Sequence, residues 1–120
     1  MQLATIILAA GEGTRFKSIR PKILHALAGR PLVEYALRTA HEMKSRKTVL
    51  VLSPGLKAKL TPSLNGQFAT TEYAVQSKPL GTAHAVSAAA SKLKGFQGTV
   101  LILYGDVPLV RRETLQHFLN

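Results

Sequence analysis

The sequence predicts an α/β fold in which a mainly parallel sheet is doubly wound, with helices on both of its faces. Short apolar runs rich in β-branched residues alternate along the chain with amphipathic or alanine-rich segments. Such alternation is typical of parallel strands joined by helical crossovers. The length of 120 residues corresponds to one domain.

Four segments are predicted to form the sheet. The first, LATIILAA, is a continuous apolar run ended by Gly11, which is typical of a strand buried on both faces. The other three runs are similarly bounded by glycine, proline or polar residues. The predicted strands are Leu3–Ala10, Thr48–Leu52, Ala69–Val75 and Thr99–Tyr104.

Helices are predicted between and after these strands. Pro31 opens the first, at a position where its missing N–H is not needed. An apolar face at helical spacing then continues to Met43. The remaining predicted helices are a weak one over Leu56–Leu60, an alanine-rich one over Gly81–Leu93 with Thr82 as its cap, and Arg112–Leu119. Ligands of such folds bind beyond the carboxyl ends of the strands.

The charge of the chain indicates an anionic partner. Sixteen Lys and Arg residues face six Asp and Glu residues, for a formal net charge of +10. Four of the sixteen, Arg15, Lys17, Arg20 and Lys22, fall within eight residues, and there is no Trp. This clustering of positive charge favours a phosphorylated small molecule over nucleic acid as the anionic partner. A nucleic-acid binder remains the third hypothesis, motivated by the net charge alone.

Several classes of protein are excluded or disfavoured. Without cysteine the chain forms neither disulfides nor thiolate metal sites, which fits a cytoplasmic protein. No apolar run is long enough for a transmembrane helix, so we expect no membrane partner. The N-terminus lacks the basic region of a signal peptide.

The segment Gly11-Glu12-Gly13-Thr14-Arg15 follows the first predicted strand and is suited to phosphate binding. Glycines let the backbone approach a ligand closely, and successive N–H groups in such a turn bind anions. Arg15 and Lys22 add positive charge for phosphate oxygens. The spacing matches neither the dinucleotide motif GxGxxG nor the Walker A loop. A tight turn without function is the alternative.

Three further features lie after predicted strands. Asp106, the only aspartate, could hold Mg²⁺ against a triphosphate, or be a turn residue. Gln76 could pair with a pyrimidine edge through its amide, or be a solvated loop residue. The helix N-terminus at Gly81-Thr82 offers N–H groups to a ligand. His25 and His84 have no metal-type partner at suitable spacing and are interpreted as structural.

At these residues the sequence resembles a known family. LAAGEGTRF followed by RPKILHALAGRPLVEYAL resembles the signature of sugar-1-phosphate nucleotidylyltransferases. QSKPLGTAHA and LYGDVPL resemble, more specifically, the uridylyltransferase domain of bifunctional N-acetylglucosamine-1-phosphate uridyltransferase/glucosamine-1-phosphate acetyltransferases. The resemblance spans almost the whole chain. It implies a Rossmann-like, truncated form of the nucleotide-diphospho-sugar transferase fold, with residues 1–120 as the N-terminal, nucleotide-binding half of the domain.

The resemblance also implies roles for individual residues. Arg15 and Lys22 would be catalytic, through charge stabilisation on the triphosphate, and Asp106 would bind Mg²⁺. Gln76, Gly81 and Thr82 would contact the uracil and ribose. The full set implied for nucleotide binding is Leu8, Ala9, Ala10, Gly11, Gly13, Lys22, Gln76, Gly81, Thr82, Tyr104, Gly105 and Asp106.

The implied reaction converts UTP and N-acetylglucosamine 1-phosphate into UDP-N-acetylglucosamine, a peptidoglycan precursor, and pyrophosphate. The family's domain is roughly twice this length, so we expect the acceptor pocket, a second metal ligand and any homo-oligomer interface to lie in parts outside this chain. Two alternatives stay open: another sugar-1-phosphate nucleotidylyltransferase, or a nucleotide-binding module without catalysis.

Overall fold

A computed structural model describes residues 2–10, 24, 26–64, 66–78, 80–106 and 111–119. Six strands and four helices lie in these residues. The strands are β1 (Leu3–Ala9), β2 (Ala26–Leu27), β3 (Arg30–Pro31), β4 (Lys47–Leu52), β5 (Glu72–Val75) and β6 (Thr99–Tyr104). The helices are α1 (Leu32–Glu42), α2 (Leu56–Leu64), α3 (Thr82–Ala90) and α4 (Arg112–Leu119). None of these helices is long and apolar enough to cross a membrane.

The main sheet has four parallel strands in the order β5-β4-β1-β6. All seven residues of β1 are buried, as its continuous apolar sequence predicts for a central strand. From β1 the chain passes through helical crossovers to β4 and then β5 on one side, and it returns to β6 on the other side. The strand order therefore reverses direction beside β1. Such a reversal is the place where ligands bind in open α/β sheets.

Helices cover both faces of this sheet. On one face, α1, α2 and α4 pack through Val33, Leu60 and Leu115 against strand residues such as Ile7 and Leu50. On the other face, Ala85 and Ala89 of α3 pack against a second set, Ile6, Leu8, Val49 and Val51 among them. The prediction of a doubly wound, mainly parallel α/β fold is therefore confirmed.

Several predicted boundaries were wrong. β5 begins at Glu72 rather than Ala69, because a turn precedes it: Phe68 has a φ of 60° and accepts a hydrogen bond from the N–H of Thr71. The alanine-rich helix ends at Ala90 and continues as a 3₁₀ turn over Ser91–Leu93.

Helix starts and one small hairpin also differ from the prediction. Thr82 does not cap α3; the cap position is Gly81, with no side-chain hydrogen bond. Pro31 is the residue before α1 and pairs with Ala26 in the antiparallel β2-β3 ribbon, which the sequence did not predict. Finally, α2 extends past Leu60 to Leu64.

Candidate functional site

The carboxyl ends of the four parallel strands are aligned along one edge of the sheet. Ala9 of β1 lies opposite Leu52 of β4, and Leu52 lies opposite Val75 of β5. Ala10, Ser53 and Gln76 are therefore the next residues on three neighbouring strands. On the other side of β1, Tyr104 of β6 lies opposite Leu8. The described site residues at the ends of the strands therefore all lie along this edge of the sheet.

At the end of β1, the side chains of Leu8, Ala9 and Ala10 point into the protein. Their exposed fractions are 8%, 2% and 7%. Leu8 and Ala10 pack on the α3 side, and Ala9 packs on the opposite side. What these three residues can offer a ligand is consequently their backbone.

Two hydrogen bonds fix the neighbouring strand ends to this segment. The N–H of Gly105 donates to the carbonyl oxygen of Leu8 over 2.9 Å. The hydroxyl of Ser53 donates to the carbonyl oxygen of Ala10 over 2.8 Å. Sequence reasoning missed Ser53, although its place directly after a strand is the same signal that indicated Gln76.

Gln76 is buried, with an exposed fraction of 6%, so the alternative that it is a solvated loop residue is wrong. Its backbone N–H donates to the carbonyl oxygen of Leu52 over 2.9 Å. Its side-chain Nε2 lies 3.2 Å from the carbonyl oxygen of Gly81 and 2.9 Å from Nδ1 of His84. Gln76 is thereby joined to the first turn of α3, where Thr82 is the first helical residue.

Gly81 requires a glycine for a conformational reason. Its φ of 101° and ψ of 177° lie in a region that residues with a Cβ rarely adopt. This backbone path turns the chain from the loop into α3 and directs the carbonyl oxygen of Gly81 at the Gln76 amide.

On the β6 side, Tyr104 is half exposed, Gly105 is buried and Asp106 is half-buried. A carboxylate is a hard oxygen ligand of the kind that Mg²⁺ prefers, and protein Mg²⁺ sites commonly use one or two carboxylates with substrate phosphates. In the described part of the chain, no three His, Asp or Glu residues are grouped to hold a metal by themselves. Asp106 is a single carboxylate at the end of β6.

A concave surface lies at the opposite, amino end of the strands. Its cavity volume is about 540 Å³, and His41, Lys44 and Thr48 are among the residues that line it. Because this cavity lies by the starts of the strands, it is separate from the edge that carries the predicted site residues.

Comparison with known proteins shows the family to which the chain belongs. The family model described as the MobA-like NTP transferase domain matches residues 5–120. The chain belongs to this family. Over 112 residues it is 48% identical to the bifunctional protein GlmU of Rhodospirillum rubrum, an alignment that covers 93% of the chain and 24% of that protein. This confirms the resemblance drawn from the motifs, and the chain spans about a quarter of the length of such relatives.

Solved structures show the same fold as this MobA-like domain. The structure of Rv0371c from Mycobacterium tuberculosis in complex with manganese gives a TM-score of 0.79 at 19% identity, covering 99% of this chain and 58% of that one. A nucleotidyl transferase from Methanothermobacter gives a TM-score of 0.70 at 19% identity, covering 97% of this chain and 56% of that one. At such low identity these likenesses establish the fold.

Part of the predicted site of this MobA-like domain lies outside the described residues. These predictions concern the glycine loop and its basic residues, namely Gly11, Gly13, Arg15 and Lys22. His25, interpreted from the sequence as structural, also lies outside them. Their predicted roles stay predictions.

Proposed function

We propose that this chain is the UTP- and Mg²⁺-binding part of a sugar-1-phosphate uridylyltransferase, which forms UDP-N-acetylglucosamine and pyrophosphate from UTP and N-acetylglucosamine 1-phosphate. The observation that carries the proposal is the alignment of Gln76, Ala10 and Gly105-Asp106 along one sheet edge. The choice of substrates follows from the motifs that resemble the uridyltransferase family.

The order of the strands supports an orientation for the nucleotide. Gln76 follows β5 and Asp106 follows β6, and three inter-strand spacings separate these strands, or about 14 Å. The loop after β1 begins between them. The uracil would lie by Gln76, the phosphates by the loop from Gly11 to Lys22, and the metal by Asp106.

The proposed reaction needs no nucleophile from the protein. A phosphate oxygen of the sugar phosphate attacks the α-phosphorus of UTP, and a new P–O bond forms. The bond from the α-phosphorus to the oxygen bridging it to the β-phosphorus breaks, and pyrophosphate leaves. Arg15 and Lys22 would stabilise the charge on the phosphates, and the sheet edge would position the nucleotide.

Mg²⁺, when bound, would supply further positive charge to the phosphate oxygens. Asp106 is the described residue that would hold it, at the end of β6. In this proposal residues 1–120 are the nucleotide-binding half of the catalytic domain, its partners are UTP and a sugar 1-phosphate, and its location is the cytoplasm.

A combined binding and activity experiment tests the proposal. Calorimetry with UTP and Mg²⁺ should show saturable binding to the chain, while pyrophosphate release is measured over several sugar phosphates and nucleotides. Release with UTP and N-acetylglucosamine 1-phosphate supports the full proposal. Turnover of glucose 1-phosphate with dTTP, and none with the acetylated sugar, contradicts it.

Two other outcomes bear on the proposal. UTP binding without turnover by this chain alone supports its role as the nucleotide-binding half, and it favours a nucleotide-binding module without catalysis only if a protein that also contains the rest of the domain shows no turnover. Salt-dependent DNA binding without UTP affinity would instead favour the nucleic-acid binder that the net charge of +10 suggests.

A further inference from the structure

The amide of Gln76 has one possible orientation in this structure. The carbonyl oxygen of Gly81 can only accept a hydrogen bond, so the group 3.2 Å from it must be the NH₂ of Gln76. The same nitrogen lies 2.9 Å from Nδ1 of His84. Both hydrogens of Nε2 are therefore directed at protein acceptors.

This orientation also determines the state of His84. An amide NH₂ is a donor only, so Nδ1 of His84 must accept and carries no proton. The imidazole is then neutral, with its proton on Nε2. His84 lies in the first turn of α3, and the next residue, Ala85, is buried against the sheet. The helix thus holds the ring in place beside Gln76.

Within the part of the chain that the structure describes, the carbonyl oxygen Oε1 is the group of the Gln76 amide left for ligand recognition. An oxygen accepts hydrogen bonds and cannot donate them. Uracil carries a donor, N3–H, on its pairing edge, whereas the N3 of cytosine is an acceptor. A Gln76 amide that could rotate freely would serve both bases, because it could present either its oxygen or its NH₂.

We propose that His84 is a positioning residue that fixes the Gln76 amide with its oxygen available to the base, and so makes the site select UTP over CTP. This inference rests on the proposed nucleotide site and adds to it the residue that sets its base specificity. His84 acts through Gln76 and makes no contact with the nucleotide in this proposal.

Two substitutions at His84 distinguish a role in positioning the Gln76 amide from a role in packing alone. His84→Asn keeps an acceptor oxygen close to the position of Nδ1, whereas His84→Leu fills similar space without an acceptor. His117, exposed on α4, provides the matched control His117→Leu. Calorimetry with UTP and with CTP, each with Mg²⁺, gives the preference as a ratio of dissociation constants.

The wild type and His117→Leu should prefer UTP, and His84→Leu should lose about five- to tenfold of that preference, the loss expected for one hydrogen bond. His84→Asn should retain most of it. An unchanged ratio of the UTP and CTP dissociation constants in His84→Leu overturns the proposal. An equal loss of UTP preference in His84→Asn and His84→Leu also overturns it, because it would indicate packing alone.

Nuclear magnetic resonance tests the positioning without any nucleotide. Long-range ¹⁵N correlation spectra of the wild type should show an unprotonated Nδ1 in His84. The two side-chain amide protons of Gln76 should be distinct in the wild type and approach free-amide shifts in His84→Leu. A protonated Nδ1 overturns the proposal even if His84→Leu does not fold. If the wild type binds neither nucleotide, the proposed function fails, while these spectra still judge the role of His84.

Discussion

Gly105 and Leu8, far apart in the sequence, are joined by a 2.9 Å hydrogen bond from the N–H of the former to the carbonyl oxygen of the latter. The contact leaves little room for a side chain on Gly105. A Cβ there would lie 3.1 Å from Cβ of Ala9, 3.3 Å from the oxygen of Leu8 and 3.5 Å from Cγ2 of Val33. Glycine at this position lets the end of β6 lie directly against the end of β1.

Gly105→Ala should therefore weaken both the fold and the site. Forcing one methyl group into this contact should lower the free energy of unfolding by about 1–3 kcal/mol, measured by urea denaturation. It should also lower UTP affinity, measured by calorimetry, because Gly105 and Asp106 would move away from β1.

Gly95→Ala is the matched control for the effect on binding. Gly95 has a φ of 81° with open space around it, so alanine strains the backbone at a position before β6, away from the candidate site. This variant should lose stability and keep its UTP affinity. Equal losses of UTP affinity in the two variants would show that the Gly105 contact has no specific effect on the site.

Asp106→Asn should reduce the dependence of UTP binding on Mg²⁺. The amide keeps the size of the side chain but removes the negative charge that would hold the cation. Calorimetric titrations with UTP at several Mg²⁺ concentrations measure the effect. Glu72→Gln, which changes an exposed carboxylate on β5, should leave the metal dependence as it is. An unchanged dependence in Asp106→Asn would remove Asp106 from the proposed site.

The central strands could be predicted because local sequence and tertiary environment agree there. The apolar runs of β1 and β4 are buried as their composition indicates. The start of β5 could not be predicted, because Thr70 and Thr71 favour a strand by composition while the positive φ of Phe68 places them in a turn. Here tertiary context overrides β-propensity.

Only those residues of the candidate site that directly follow predicted strands could be predicted from the sequence. Gln76 and Asp106 were singled out because each follows a predicted strand. The roles of Ser53 and His84 depend on contacts that no short motif encodes. Ser53 after β4 donates a hydrogen bond to Ala10 after the neighbouring strand β1. His84 contacts Gln76 only because the chain turns back at Gly81.

Ser53→Ala should loosen the segment that follows β1. The hydroxyl of Ser53 donates to the carbonyl oxygen of Ala10, the last described residue before the glycine loop. Losing this bond should lower stability by about 1 kcal/mol and weaken UTP binding several-fold. Thr61→Ala removes a hydroxyl that bonds within α2 and serves as the control. Equal UTP affinities of both variants and the wild type would contradict this prediction.

Glu34→Gln should destabilise the fold without acting on the site. The Glu34 side chain has an exposed fraction of only 8% and lies 3.5 Å from Nε of Arg30 and 3.2 Å from Nε of Arg38. Removing its charge should lower the free energy of unfolding by about 1–3 kcal/mol in urea denaturation. Glu113→Gln, where the ion pairs are exposed, should change it by less than about 1 kcal/mol. Equal effects would contradict the prediction.

Tyr73 should make the fold sensitive to alkaline pH. Burial disfavours its charged phenolate and raises the pKa of Tyr73 above 10.0 in the folded protein, and Nζ of Lys57 lies 4.8 Å from the centre of its ring. The unfolded chain releases this proton first, near pH 10. The contribution of Tyr73 to stability is therefore complete below about pH 10 and is lost as pH rises through the folded-state pKa.

Thermal denaturation of the wild type and Tyr73→Phe between pH 8 and pH 11 measures this contribution. Above about pH 10 the wild type should lose melting temperature more steeply than the variant, since phenylalanine has no proton to release. The absorbance of ionised tyrosine near 295 nm should also rise later in folded protein than in urea. If the melting temperatures of the two proteins changed in parallel with pH across this range, the Tyr73 phenol would ionise alike in the folded and unfolded states.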